Sequence, residues 1–287
     1  MRKSLVVVLV AMAGSVVAAP IGTAGTAHEG EFFYLCEFSH RSQNDPILYP
    51  GKAGASPRND FYGNMTTNAD STAQSLVAGK TTCRVLDDKS AYWFATLMRK
   101  GKVQKPWKVH IYYRNQVAAH PRPFPLGLEY LAGDPNATRK QRDWEQRYFW
   151  QCGDTVASTH FAKPPDCPDD GNPEPGSSTG DTLTLMIRFP QCWDGTRKDS
   201  KNHHAHIVYP VNDACPKDHP VLVPQLQVHV QWAINNGASG PKLSLSSGSI
   251  FGIHAEFFDA WKKARLRSLI KSCIDAGVSC HPNDLSP

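Results

Sequence analysis

Eight cysteines (Cys36, Cys83, Cys152, Cys167, Cys192, Cys215, Cys273 and Cys280) restrict this chain of 287 residues more than any other feature. All lie behind an N-terminal stretch that opens on Met1-Arg2-Lys3, runs through apolar residues 5–10 and continues in small residues to Ala19, the order of a secretory signal. Cleavage is expected between 19 and 27, leaving residues 1–27 as signal peptide and short leader and 28–287 as a single secreted domain. An even cysteine count in an exported chain implies disulfides, four of them here. No Cys-x-x-Cys pair points to zinc or thioredoxin chemistry. Of about 105 possible pairings, the simplest joins neighbours in sequence: 36 with 83, 152 with 167, 192 with 215, 273 with 280.

Between the cysteines, period-two alternation dominates. Residues 182–189 set Leu183, Leu185, Ile187 and Phe189 against Thr182, Thr184 and Arg188. Residues 225–232 set Leu226, Val228, Val230 and Trp232 inward and Gln225, Gln227, His229 and Gln231 toward solvent, and 107–113 repeat the pattern with His110 outward. With further strands expected at 91–98, 148–152, 207–209 and 243–250, the reading is a mainly β, antiparallel β-sandwich-like domain with long disulfide-stapled loops. Residues 255–276 are rich in helix formers and read as one C-terminal α-helix stopped by Gly277. The stretch 163–180, with five prolines and three glycines, reads as an exposed loop. The formal charge of +5, from 31 Lys+Arg against 26 Asp+Glu, is too small for a nucleic-acid footprint. After the leader no segment has the length and apolarity of a membrane span.

The densest polar constellation is Cys192-Trp193-Asp194-Gly195, then Asp199, then Asn202-His203-His204-Ala205-His206, with His254 and Glu256 arriving from elsewhere. Two or three imidazoles meeting at about 2.0–2.1 Å would hold a divalent metal such as zinc or copper, and His203, His206 and His254 are the candidates. The same histidines, with Asp194 and Glu256, fit acid–base catalysis or hydrogen bonding to sugar hydroxyls, because imidazole changes charge near neutral pH. Against this stands a packed, structural role for each histidine. Asp194 before Gly195, and Asp134 before Pro135, read first as turn residues. No Gly-x-Ser-x-Gly elbow, His-Glu-x-x-His motif or phosphate-cradling loop is present.

The ordered motifs Asp45-Pro46-Ile47, SPRNDFYGN at 56–64, Ser90-Ala91-Tyr92-Trp93, Tyr112-Tyr113-Arg114, Ala132-Gly133-Asp134, FPQCWDG at 189–195, DSKNHHAHIVYP at 199–210, CPKDHPVLVPQL at 215–226 and GIHAEFFDAW at 252–261 resemble the secreted domain-of-unknown-function family numbered nineteen ninety-six. The resemblance implies an exported protein and, through the family's company with carbohydrate-binding modules, a role on cell-wall or extracellular polysaccharide. It draws Asn59, Asp60 and Trp193 into the site as substrate contacts. Where the family shows His-x-His, this chain has Pro57 and Asn59. Asparagine is a poor transition-metal ligand beside imidazole. Two readings therefore stand: a carbohydrate-active hydrolase or lyase with a His/Asp-lined pocket, or a non-catalytic cell-surface binding or structural module with a degenerate histidine site.

Overall fold

In the computed structural model, residues 30–153, 159–167, 182–234 and 243–284 are described. The leader and residues 168–180 of the Pro/Gly-rich stretch lie outside the described residues. Two sheets carry the fold. One has six strands in the order Ser279–Cys280, Glu31–Leu35, Lys108–Arg114, Gln225–Trp232, Leu183–Arg188 and Tyr148–Cys152, antiparallel except for the first pair. The other has five antiparallel strands in the order Phe38–Ser42, Asn59–Gly63, Ala91–Ala95, His254–Phe258 and Glu129–Gly133.

Alternation explains how the sheets meet. Val109, Ile111 and Tyr113 from the six-stranded sheet and Tyr92, Phe94 and Phe257 from the five-stranded sheet are buried in one apolar cluster. A polar network crosses the same core. Asp88 accepts hydrogen bonds from Tyr34 (2.8 Å) and Tyr92 (2.6 Å), and Tyr113 accepts from Trp261 Nε1 (3.0 Å). Burial pushes the Asp88 carboxyl up, although these donors oppose the shift. The outer face of the five-stranded sheet is covered too: Phe61, Trp93 and Phe258 pack with Ile47 and with Leu76 of the short helix Ala73–Ala78.

All four bridges join neighbours in sequence: Cys36–Cys83, Cys152–Cys167, Cys192–Cys215 and Cys273–Cys280. Cys167 is thus tied back to the sheet from the start of the Pro/Gly-rich stretch.

Three expectations need correction. The C-terminal helix is shorter than its composition suggests: His254–Phe258 is a central strand, and the helix runs Lys263–Leu269 before a wider turn, Ile270–Ile274. Pairing on both sides overrides the helix propensity of Ala255 and Glu256, whose neighbours also alternate with period two. Gly277 does stop the helical segment, at φ +68°. Secondly, the outward residues of Gln225–Trp232 do not face solvent. Gln225, Gln227, His229 and Gln231 are all buried, with the His229 ring stacked on Tyr112 at 4.2 Å, and His110 is half-buried between Phe33 and Tyr112. Alternation separates two faces but does not say which is wet. Thirdly, the strand expected at 243–250 stops at Leu245.

Candidate functional site

The Glu129–Gly133 strand is the edge of the five-stranded sheet, and the segment from Lys198 to His206 is laid along it. Glu129 N donates to Lys198 O (2.8 Å), Leu131 N to His203 O (3.2 Å), and His206 Nε2 to Glu129 O (2.8 Å). An exposed edge is thereby capped, and His203 is fixed beside the sheet. The base of the segment is held by the small sheet Ile207–Val208, Cys192–Trp193 and Val221–Leu222, and by the Cys192–Cys215 bridge.

Within this segment most sequence-selected residues hold the chain. Asp194 Oδ1 accepts from Thr196 N (2.8 Å) and Arg197 N (2.9 Å), and its other oxygen pairs with Arg197 Nε (2.6 Å). Partial burial works to raise this carboxyl, but these donors outweigh it and hold it at about 2. Trp193 Nε1 donates to Arg197 O (2.6 Å). His206 is buried, with Nδ1 2.9 Å from Ser200 Oγ while Nε2 donates to Glu129 O, so both ring nitrogens are engaged. Burial holds it below the ordinary histidine range.

His203 differs. Its Nδ1 donates to Asp199 Oδ1 at 2.8 Å, its side chain is 18% exposed, and its backbone sits at φ +58°. That conformation costs a non-glycine residue about 1 kcal/mol. The Asp199 bond raises the His203 pKa against an opposing desolvation, helped by the charges of Asp199, Asp45 and Glu129. Glu129 itself is half-buried, and desolvation followed by the Asp199 charge lifts its carboxyl to about 7. Glu129 and Asp45 are members of this cluster that the sequence alone did not place among the candidate site residues. Replacing Asp199 by Asn is expected to return the His203 pKa toward its ordinary value, about 6.5; an NMR titration of the ring reads this directly.

Behind this rim lies a buried acidic layer on the outer face of the five-stranded sheet. Register places Asn59 opposite Ala95 and Glu256 opposite Trp93, with His254 opposite Gly133 on the other side of its strand. Asp45 enters from its loop, accepting from Ile47 N (2.8 Å), Leu48 N (2.9 Å) and Asn59 Nδ2 (3.4 Å). His254 Nδ1 donates to Gly252 O (2.7 Å), which leaves Nε2 as the acceptor, 3.7 Å from Glu256 Oε1. Burial keeps His254 neutral. Glu256 is fully buried against the Asp45 carboxyl, with which it shares a side-chain hydrogen bond, while Asn59 Oδ1 and Trp93 Nε1 have no hydrogen-bond partner. Burial, then the Asp45 charge, pushes the Glu256 pKa far up. Gly133 permits the close approach of this strand pair: at φ +87°, a Cβ there would lie 2.2 Å from Ile253 O.

The sign of the Glu256 effect is testable. Its folded pKa is raised, so the folded state keeps a proton that the unfolded chain releases, and stability is lost as pH rises above about 4.5. Glu256→Gln is expected to gain on the wild type by up to about 1.4 kcal/mol per pH unit between pH 5 and 8, measured by denaturant unfolding. A constant difference across that range would contradict the assignment.

Asp60 is not in this cluster. It follows Asn59 in the strand and so points to the opposite face, where it pairs with Arg41 (2.5 and 3.0 Å) and accepts from Thr96 (2.8 Å). Nor do His203, His206 and His254 meet as a three-ligand set. Among the described residues the one His/Cys/Asp/Glu group compact enough for an ion is Cys36, Cys83 and Asp88, whose sulfurs form a disulfide. Zinc or copper bound by three imidazoles therefore does not fit this arrangement.

The sequence matches the family described as Domain of unknown function (DUF1996) over residues 45–261. The chain belongs to this family. The DUF1996 match begins at Asp45 and ends at Trp261, so it contains the rim, the acidic layer and the capping segment, while the Glu31–Leu35 strand and the C-terminal helix lie outside it. No curated protein and no solved structure matches the chain.

Proposed function

We propose that this DUF1996 protein is exported and acts on a cell-wall or other extracellular polysaccharide, with Asp199, His203 and Glu129 as its acid–base set. The carrying observation is that rim: a half-buried imidazole oriented by a carboxylate at 2.8 Å, beside a carboxyl that titrates near neutrality. Cleaving a glycosidic bond, by hydrolysis or elimination, needs one group to give a proton to the leaving oxygen and another to take one. Asp199 fixes His203 Nδ1 as donor, which leaves Nε2 to exchange a proton, and Glu129 is the complementary group. His254, Glu256 and Asp45 are too buried to touch a saccharide and act on the rim through their field. Asp194 and His206 hold the segment in place. Four disulfides support an oxidising, extracellular setting, and among the described residues no helix is long and apolar enough to cross a membrane.

A second reading, a non-catalytic glycan-binding module, is favoured by one observation: the layer carrying Asn59, His254 and Glu256 is sealed. The two separate in one experiment. The mature protein is incubated with soluble and insoluble cell-wall polysaccharides, and new reducing ends, ultraviolet-absorbing unsaturated ends and retention on the glycan are recorded. Product that disappears with His203→Ala supports the first reading. Retention without product supports the second, and neither product nor retention sinks both.

A further inference from the structure

Two open clefts of about 380 and 460 Å3 adjoin each other, and His203 lines neither. The first lies at the end of the six-stranded sheet, walled by Arg188, Gln225, Gln116, Tyr209 and Arg147. The second lies over the turn after Gly133, and Arg147 lines both. Tyr148 and Tyr209, one from each cleft, share a hydrogen bond of 2.7 Å between their hydroxyls, so the clefts meet along one ridge.

The first cleft holds cationic and amide groups that the fold leaves incomplete. Arg188 Nη1 donates to Gln146 O (2.9 Å), but its Nε is buried without a partner, and no carboxylate among the described residues pairs with it. Burial lowers its pKa, and the nearby Arg114 guanidinium lowers it further, so like charges are held together here. Gln225, 2% exposed, donates to Gln116 Oε1 (3.2 Å) and leaves its own Oε1 unpartnered. An unmet buried donor or acceptor costs about 1–3 kcal/mol, which a ligand that completes it recovers. Arg147 lies on the Tyr209 ring at 3.8 Å, its charge shared with Asp143 at 3.0 Å. Together the clefts are lined by Arg139, Lys140, Arg142, Arg147 and Arg188, against the carboxylates of Asp134 and Asp213.

A small free anion would fill only a fraction of this space, which is in the range of organic-ligand sites. The amides of Gln116, Gln146, Gln225 and Asn212 each offer a donor beside an acceptor, the pairing that vicinal hydroxyls need, and the guanidinium fork suits a carboxylate or sulfate. We propose that the joined clefts bind an acidic polysaccharide, Arg188 and Arg147 receiving the carboxylate or sulfate of one sugar, Gln225 and Gln116 its hydroxyls, and the chain continuing past Arg147 toward Arg139 and Arg142. The site shares no lining residue with the His203 rim and stands whether or not that rim is catalytic.

The test is affinity electrophoresis of the full mature chain in gels containing polygalacturonate, dextran sulfate or neutral dextran, with calorimetric titration of inorganic sulfate as the free-ion arm. The expected result is retention by an acidic polymer and not by dextran. That retention falls with added salt and weakens at least tenfold with Arg188→Gln and with Arg147→Gln, while Arg188→Lys keeps part of it. Arg147 is partly exposed, so its variant serves if Arg188→Gln disturbs folding, and thermal melts of each variant establish this. Equal retention by dextran, unchanged affinity in both glutamine variants, or binding of inorganic sulfate alone would overturn the proposal. The readout is affinity only, so failure of polysaccharide cleavage is registered separately.

Discussion

Replacing Cys36 and Cys83 together by alanine is expected to lower the unfolding free energy by about 4 kcal/mol, more than removal of any other bridge. In the chain-entropy account a cross-link stabilises by restricting the unfolded chain, and the effect grows with the logarithm of the loop it closes. The separations are 47 residues for Cys36–Cys83, 23 for Cys192–Cys215, 15 for Cys152–Cys167 and 7 for Cys273–Cys280. The shortest loop gives about 2 kcal/mol on the same relation. Position adds to length here. Cys36 and Cys83 are both buried in the main apolar cluster and form a β-bridge, fastening the first strands to the chain that leads into the Ala91–Ala95 strand. A domain of ordinary stability, about 5–15 kcal/mol, loses a large part of its margin. Denaturant unfolding of the two double-alanine variants, 36/83 and 273/280, checks the order. A smaller loss at 36/83 than at 273/280 would contradict the loop argument.

The legible parts of this fold were those where one local rule decides. Alternation located the Leu183–Arg188, Gln225–Trp232 and Lys108–Arg114 strands because one face of each packs into a shared core. Disulfide neighbours paired because each bridge closes a local excursion. Asp194 and Asp134 were legible as turn residues, and both accept from backbone N–H groups two residues on. What was not legible depends on tertiary partners. His254–Phe258 looks helical until it is flanked by two strands, and His229 looks exposed until its face is covered. Asp45 stood in the sequence only as part of the Asp45-Pro46-Ile47 motif and Glu129 in none: one joins the candidate site through a loop folded over the sheet, the other through an edge strand capped by a segment about seventy residues later. Clustering of histidines in sequence pointed to the segment that the structure lays along the Glu129–Gly133 edge strand. It did not say that His206 would brace the loop while His203 faced the rim.

On the acid–base role proposed for them, loss of either His203 or Glu129 is expected to reduce the proposed polysaccharide cleavage by about 10²- to 10⁴-fold, the usual range for one such group, and the pH profile distinguishes their roles. Glu129 titrates at about 7 because desolvation, then the Asp199 charge, disfavours its carboxylate. As proton donor it would be active below that value, so the rate should fall as pH rises through it. Asp199→Asn removes the second of these causes and also the bond that raises His203. Both pKa values then move down, and the alkaline limb of the profile should shift to lower pH while both side chains are still present. Glu129→Gln should abolish that limb along with most of the rate. The comparison rests on a shift and not on loss alone, because a variant that merely loosened the Lys198-to-His206 segment would lower the rate at every pH without moving the limb. An Asp199→Asn profile that superimposes on the wild type after scaling would remove Glu129 from the proton-donor role.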